Sequence, residues 1–390
     1  MKRRFIIVII FICIGCHLFG EMLLENDVSV ESVRSTSMGG FHAGYSNDFD
    51  VLFSNPAGFR QAGKSIRYSQ LSMGLHGPVF DVTTLLLKVL DGTDYADLLL
   101  EEENLDLMTS LYAGGEVTGP LSAAYIGENF GIGFFNTVSL MFDTPSTLEI
   151  TTTLSEQLLL LGGYGFELPI HYDKQRFEAG VTLKGFMRSE GGFSTTVVML
   201  GDVLEDFSGN LFLDQPYDVI SGIGFDLGFL HTYDKIWSWG IVFQDVYTPT
   251  VRSSYSTMRD FMDGADAADT QYGVVPFKMN IGASYHPHLI GMRTYVSDFS
   301  VSLDYRDILD FALYPKKSVN PALHVGAGIE CTVLEILSLR GGFGQGYFSS
   351  GLGVKLGIVD FGLSMYGREN STEPGMDPVY NVMLGIDIES

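Results

Sequence analysis

The chain has 390 residues, 46% of them hydrophobic and 13% aromatic, and a formal net charge of −24. So acidic a balance excludes nucleic acid as a partner, because like charge repels the phosphate backbone. No run of about eighteen apolar residues follows Gly20, which excludes helical membrane spans from that part of the chain.

The first segment reads as an export signal. Lys2, Arg3 and Arg4 precede an apolar run from Phe5 to Ile14, which ends near Leu18-Phe19-Gly20. Cleavage after Gly20 would make Glu21 the first mature residue. Cys13-Ile14-Gly15-Cys16 also has the look of a loose lipobox that would lipidate Cys16, with Cys13 where an aliphatic residue normally stands. Cys13 and Cys16 lie in that segment, which leaves Cys331 as the one cysteine expected to survive with a free thiol, so the sequence predicts no internal disulfide and no zinc site.

Residues 21–63 lack strand periodicity. Small residues, Asn47-Asp48 and Asn55-Pro56 favour turns. Phe41, Tyr45, Phe49, Leu52, Phe53 and Phe59 nevertheless give the stretch an apolar content that calls for burial.

From residue 64 onward the pattern changes to period two. Between Asp218 and Leu230 the odd positions read Val219, Ser221, Ile223, Phe225, Leu227 and Phe229. Gly222, Gly224, Asp226 and Gly228 lie between them. Successive side chains of a strand point to opposite faces, so this stretch has one greasy face and one wet or crowded one. The expected strands are 64–76, 114–126, 130–142, 157–168, 175–189, 217–231, 237–249, 274–287, 294–306, 321–333, 336–346, 351–358, 360–368 and 379–389. The second, fourth and sixth gaps are short; the first, third, fifth and seventh are longer. Repetition of this kind through an exported chain predicts an all-β fold, a transmembrane antiparallel β-barrel of about fourteen strands. The domain plan is therefore 1–20 signal peptide, 21–63 lead-in buried in the lumen, and 64–390 barrel. The barrel would sit among the lipids of the outer membrane of a diderm, Gram-negative-type bacterium. Leucines at helical spacing in Phe80–Leu90 and Tyr95–Leu111, and Val198, Met199, Val203, Leu204 and Phe207 in Thr195–Phe207, predict short helices in outer loops.

Catalytic and cofactor motifs are missing. His286-Pro287-His288 falls at an inner turn, and the other histidines have no metal-binding spacing. No serine stands in Gly-x-Ser-x-Gly. Gly341-Gly342-Phe343-Gly344-Gln345-Gly346 misses the dinucleotide fingerprint. The sequence thus predicts neither enzyme, metal nor cofactor. Two features remain open at this level. Glycines on the inner face (Gly222, Gly224, Gly228, Gly282, Gly326, Gly328, Gly353, Gly357) suit either close approach of another backbone or barrel curvature. Inner-facing Lys184, Arg188, Lys278, Arg306, Arg340 and Lys355 are matched by Glu178, Asp226, Asp304, Glu330 and Asp387, which suits a plugged lumen or an open channel.

The lead-in carries a resemblance. Gly39-Gly40, then Ala43-Gly44-Tyr45-Ser46-Asn47-Asp48, then Asn55-Pro56-Ala57-Gly58-Phe59 resemble the N-terminal hatch of FadL-type outer-membrane proteins. Leu337 to Phe343 and Gly351 to Val354 are similar to late strands of the PorV-like branch of that group, while 77–320 is unmatched. The resemblance implies a hatch inside the barrel, shaped by Asn55, Pro56, Ala57 and Gly58, with Gly39 and Gly40 in tight turns beside Asn47 and Asp48. It also implies passive uptake of a hydrophobic ligand such as a long-chain fatty acid, released by hatch movement and a gap in the wall. For the PorV-like branch it implies service to secretion-system proteins or another surface interaction.

Overall fold

The computed structural model describes residues 21–22, 28–44, 48–81, 84, 88, 111–146, 149–170, 172–196, 212–287 and 295–390. The export signal, Cys16, Asn47 and most of the expected loop helices lie outside the described residues.

Fourteen staves form one closed antiparallel barrel. They are β1 Ser65–His76, β2 Tyr112–Ile126, β3 Phe130–Ser146, β4 Glu149–Glu167, β5 Gln175–Thr196 and β6 Tyr217–Tyr233. β7 runs as Trp237–Tyr247 and Pro249–Tyr255, and β8 as Asp269–Val274 and Lys278–Tyr285. The rest are β9 Val296–Tyr305, β10 Val325–Val333, β11 Leu337–Gly344, β12 Tyr347–Leu356, β13 Val359–Glu369 and β14 Pro378–Glu389. β14 pairs back onto β1, Leu384 opposite Met73, so the sheet closes. A separate two-residue strand, Glu21–Met22, lies parallel to Gly273–Val274.

Each expected strand has its counterpart in order, but the third gap is not a long loop. β3 continues to Ser146 and β4 starts at Glu149, with Asp143 opposite Thr151. Thr151, Thr152, Thr153 and Ser155 are polar on both faces, so they show no alternation, yet they favour extended backbone and bond across strands. Ser139 and Ser155 hydroxyls meet at 2.7 Å, and Thr151 and Ser194 at 3.0 Å. The loop after β7 does carry a helix, α1 Met258–Met262, capped by Thr257, whose hydroxyl accepts from the Asp260 N–H.

Outward side chains are apolar and uncovered. Leu160, Leu183, Ile223, Leu303 and Leu384 are all exposed, while their neighbours Leu161, Lys184 and Met383 are buried. In water such a band would cost about 25 cal/mol per Å²; in lipid it costs nothing. Closure leaves no open sheet edge, so the ladders run from stave to stave around the barrel. This is a protein of the outer membrane of a diderm bacterium.

The wall is irregular at β7 and β8. Between Leu227 opposite Phe243 and Phe225 opposite Tyr247, β7 carries two more residues than β6, a bulge centred on Asp245 at φ 50°. At the same height β8 is broken by Val275, Pro276 and Phe277, where proline has no N–H for a ladder. The Val275 N–H instead donates to the Thr248 carbonyl at 3.0 Å, which stitches the two irregularities together.

Candidate functional site

The N-terminal segment from Val28 to Ala62 lies against the inner wall, and the inward glycines explain how. A Cβ on Gly240 would fall on the Ala43 carbonyl, and one on Gly228 would reach the Asn55 side chain and Pro56. Gly180 takes the Pro56 carbonyl, and Gly342 takes the backbone of Met38 and Gly39. Glycine on these strands makes room for a second backbone. Of the two readings the sequence left open, close approach of another backbone holds at Gly328, which faces the Met38 carbonyl; Gly228 faces the Asn55 and Pro56 side chains, and Gly282 faces the Asp304 carboxylate before the Gly44 backbone. Gly357, by contrast, meets nothing within 4 Å and sits at φ 66°.

Local chemistry folds the segment into short turns. Ser32 caps a five-residue helix, Val33–Ser37, through the Ser35 N–H. Gly39 and Gly40 follow at φ 84° and 104°, a left-handed exit that glycine adopts without strain. Asp48 caps a 3-10 turn, Phe49–Leu52, and Asn55 caps a second, Pro56–Arg60, with Pro56 in its first turn. Asn55 is fully buried. Its amide donates to the Ala43 carbonyl at 2.7 Å and the Phe229 carbonyl at 3.1 Å, and its oxygen accepts from the Ala57 N–H at 3.0 Å. Ala57 and Gly58 are buried beside it.

Charges join segment and wall. Asp304 accepts from His42 Nδ1 at 2.8 Å and from the Ala43 N–H at 2.7 Å. Arg34 lies between Glu330 and Asp48, and Glu330 also receives Arg340 Nε at 2.7 Å. Arg67 pairs with Asp387 and Glu389 and lies 4.3 Å over the Phe49 ring. Gln61 donates to Thr232 and Glu178. The inward carboxylates Asp304, Glu330 and Glu178 therefore tie the segment to the wall.

Replacing Asn55 with alanine should strip the Ala43 and Phe229 carbonyls of their donor, at a cost of about 2–3 kcal/mol. Trypsin should then cut at Arg34 and Arg60 of the detergent-folded protein about 30- to 150-fold faster than in the unmodified chain. Burial raises the Asp50 carboxyl to about 6, and Asp48 adds to the rise against Arg34 and Arg67. A carboxyl raised in the docked state favours docking when protonated, so docking tightens as pH falls through about 6 and loosens above it. Leak of a small neutral sugar from liposomes should be lower at pH 5 than at pH 8, and Asp50→Asn should flatten that difference.

The interior divides into two environments. Between the segment and the outer loops lies a cavity of about 770 Å³, bordered by His42, Glu116, Arg188, Lys278, Arg306 and Asn381 among other polar groups. Toward β3–β8 lies an apolar cluster of Val28, Val30, Leu52, Phe135, Leu159, Phe186, Ile220 and Val275. Outside the barrel, over the β7–β8 irregularity, an apolar groove of about 930 Å³ runs between Leu160, Met187, Ile223, Tyr247 and Tyr272. Its floor is small: Gly185 has nothing within 4 Å of a Cβ position, and Ser221 and Gly222 stand beside it. Phe186 borders both the inner cluster and the outer groove, its ring lying over Gly222 with Cζ 2.8 Å from a Cβ position there. The sequence reading passed over Phe186; its signal is the run of small residues Gly185, Ser221 and Gly222 within otherwise greasy strands.

Among the described residues no cluster of histidine, cysteine or carboxylate side chains has the form of a metal site. Cys331 lies on β10, half-buried and unpaired in any disulfide.

No family model matches the chain, and no curated protein matches its sequence. Among solved structures it is similar to the Pseudomonas putida toluene transporter TodX, 11% identical, over 95% of this chain and 99% of that one, with TM-score 0.43. For the Ralstonia pickettii toluene transporter TbuX the values are 13% identity, 93% and 99% coverage, and TM-score 0.47. A Pseudomonas aeruginosa FadL homologue is 10% identical over 95% and 98%, with TM-score 0.41.

Proposed function

We propose that this chain is a passive, FadL-type uptake channel for hydrophobic compounds, in which the segment 28–62 is the hatch. Docked on the wall glycines and held by Asn55, Asp304 and Glu330, the hatch blocks water and small solutes. The cargo is an amphiphile of the long-chain fatty acid kind. A carboxylate head is at home in the polar cavity beside Arg188, Lys278 and Arg306, and a hydrocarbon tail is at home in the apolar cluster. Exit runs sideways through the wall into the outer groove. One observation supports this reading: Phe186 belongs to the apolar interior cluster and also borders the apolar outer groove, which extends over the irregular stretch of β7 and β8.

The test is uptake of radiolabelled oleate by diderm cells that lack their own fatty-acid channel. Expression of this chain should give saturable uptake well above the empty-vector level. Uptake equal to the empty vector would refute the assignment.

A further inference from the structure

Against the bulge in β7 stands a buried lysine paired with two carboxylates, an arrangement that the hatch and the cargo cavity do not require. Lys184 rises from β5, and its side chain is 5% exposed. Its Nζ lies 3.0 Å from Asp226 on β6 and 2.9 Å from Asp245 in the bulge. Asp226 also accepts from the Asp245 N–H at 2.7 Å, and Asp245 accepts from the Thr248 hydroxyl at 2.8 Å. Thr248 in turn fills the space over Gly224, and its carbonyl takes the Val275 N–H. One ammonium thus organises three adjacent strands and, through Thr248, the break in the fourth.

A bulge with two extra residues has lost part of its ladder and would relax unless its freed groups were satisfied. Here the Asp245 N–H is satisfied by the Asp226 carboxylate, and the Thr248 carbonyl by the Val275 N–H. Charge-assisted bonds are the stronger kind, and a buried pair is costly to break by removing one partner. The next turns of chain, Tyr247, Pro249 and Val274, form one wall of the outer groove. The position of that wall follows from the geometry of the bulge.

We propose that Lys184, with Asp226 and Asp245, is a positioning strut that holds the β7 bulge open and so keeps the side groove shaped for apolar cargo. This rests on the side-exit reading above, and it adds which residues set the exit. Lys184 touches neither the groove nor the cargo cavity; it acts through the backbone of Asp245 to Pro249.

Two variants and two measurements test it. Lys184→Met leaves two buried carboxylates uncompensated, whereas K184M/D226L/D245N removes all three charges and so keeps the barrel foldable. In lipid nanodiscs, hydrogen exchange should accelerate about tenfold at the amides of Asp245 to Thr248 in both variants, with β10–β13 unchanged. Oleate uptake by cells should fall about tenfold in both. Lys174→Met, which removes an exposed turn pair with Asp234, should change neither measurement. If exchange at the bulge is unaltered, or accelerates equally around the whole barrel, the strut is refuted. If exchange changes locally while uptake keeps its unmodified rate, the strut does not position the exit, and the inference is likewise overturned. Failure of the unmodified chain to take up oleate overturns the transport assignment instead, and the exchange measurement still decides the strut.

Discussion

Gly240→Ala is expected to turn a closed channel into a leaky one. The added methyl falls on the Ala43 carbonyl, which is backbone and is already fixed by the Asn55 amide at 2.7 Å. Neither side can yield cheaply, since Gly240 belongs to a paired strand opposite Leu230 and Gly282. Overpacking of this kind costs about 1–3 kcal/mol, which shifts the docked-to-undocked balance of the hatch by roughly five- to 150-fold. The barrel ladder is untouched, so the folded, heat-modifiable form should persist on gels. Planar-bilayer conductance should rise from rare openings to a steady open level. A G240A channel as quiet as the unmodified one would mean that the hatch does not seal the pore. Gly185→Ala, whose Cβ meets nothing within 4 Å, is the matched control and should stay closed.

Phe186→Ala carries the second large effect. The ring is 6% exposed and is shared by the inner cluster and the outer groove. Its loss should destabilise the barrel by about 3–5 kcal/mol through the cavity left behind. It should also join the two apolar spaces, so oleate uptake should rise several-fold and lose its dependence on hatch movement. The informative comparison is with Phe135→Ala, which removes a ring of the same kind from the cluster but not from the groove. Both should lose stability, and only the Phe186 variant should gain uptake.

The strand order was legible in the sequence because lipid imposes strict alternation within its own thickness. Thr151, Thr152, Thr153 and Ser155 are polar on both faces of a strand that continues to Glu149, so alternation carries no signal there. The inward glycines announced a crowded surface, but not what crowded it. Only contacts such as Gly240 with Ala43 and Gly342 with Met38 distinguish a docked backbone from curvature. Gly39, Gly40, Asp48, Asn55, Pro56, Ala57 and Gly58 fall in turns and caps along one segment. Lys184, Asp226 and Asp245 were not legible as a unit. Lys184 and Asp226 read as two more inward charges, and only the two extra residues of β7 bring Asp245 round to the same face. Phe186 was missed for a related reason, because a greasy residue on an inward face looks like core until the groove behind it is seen.

The most direct measurement of the side exit is oleate uptake by cells expressing Gly185→Trp. The site faces the groove and has open space where the side chain begins, so the indole should fill the groove from the lipid side without disturbing the hatch. A fall of about tenfold, with conductance unchanged, is the predicted result. Uptake at the unmodified rate would mean that cargo does not leave through this wall.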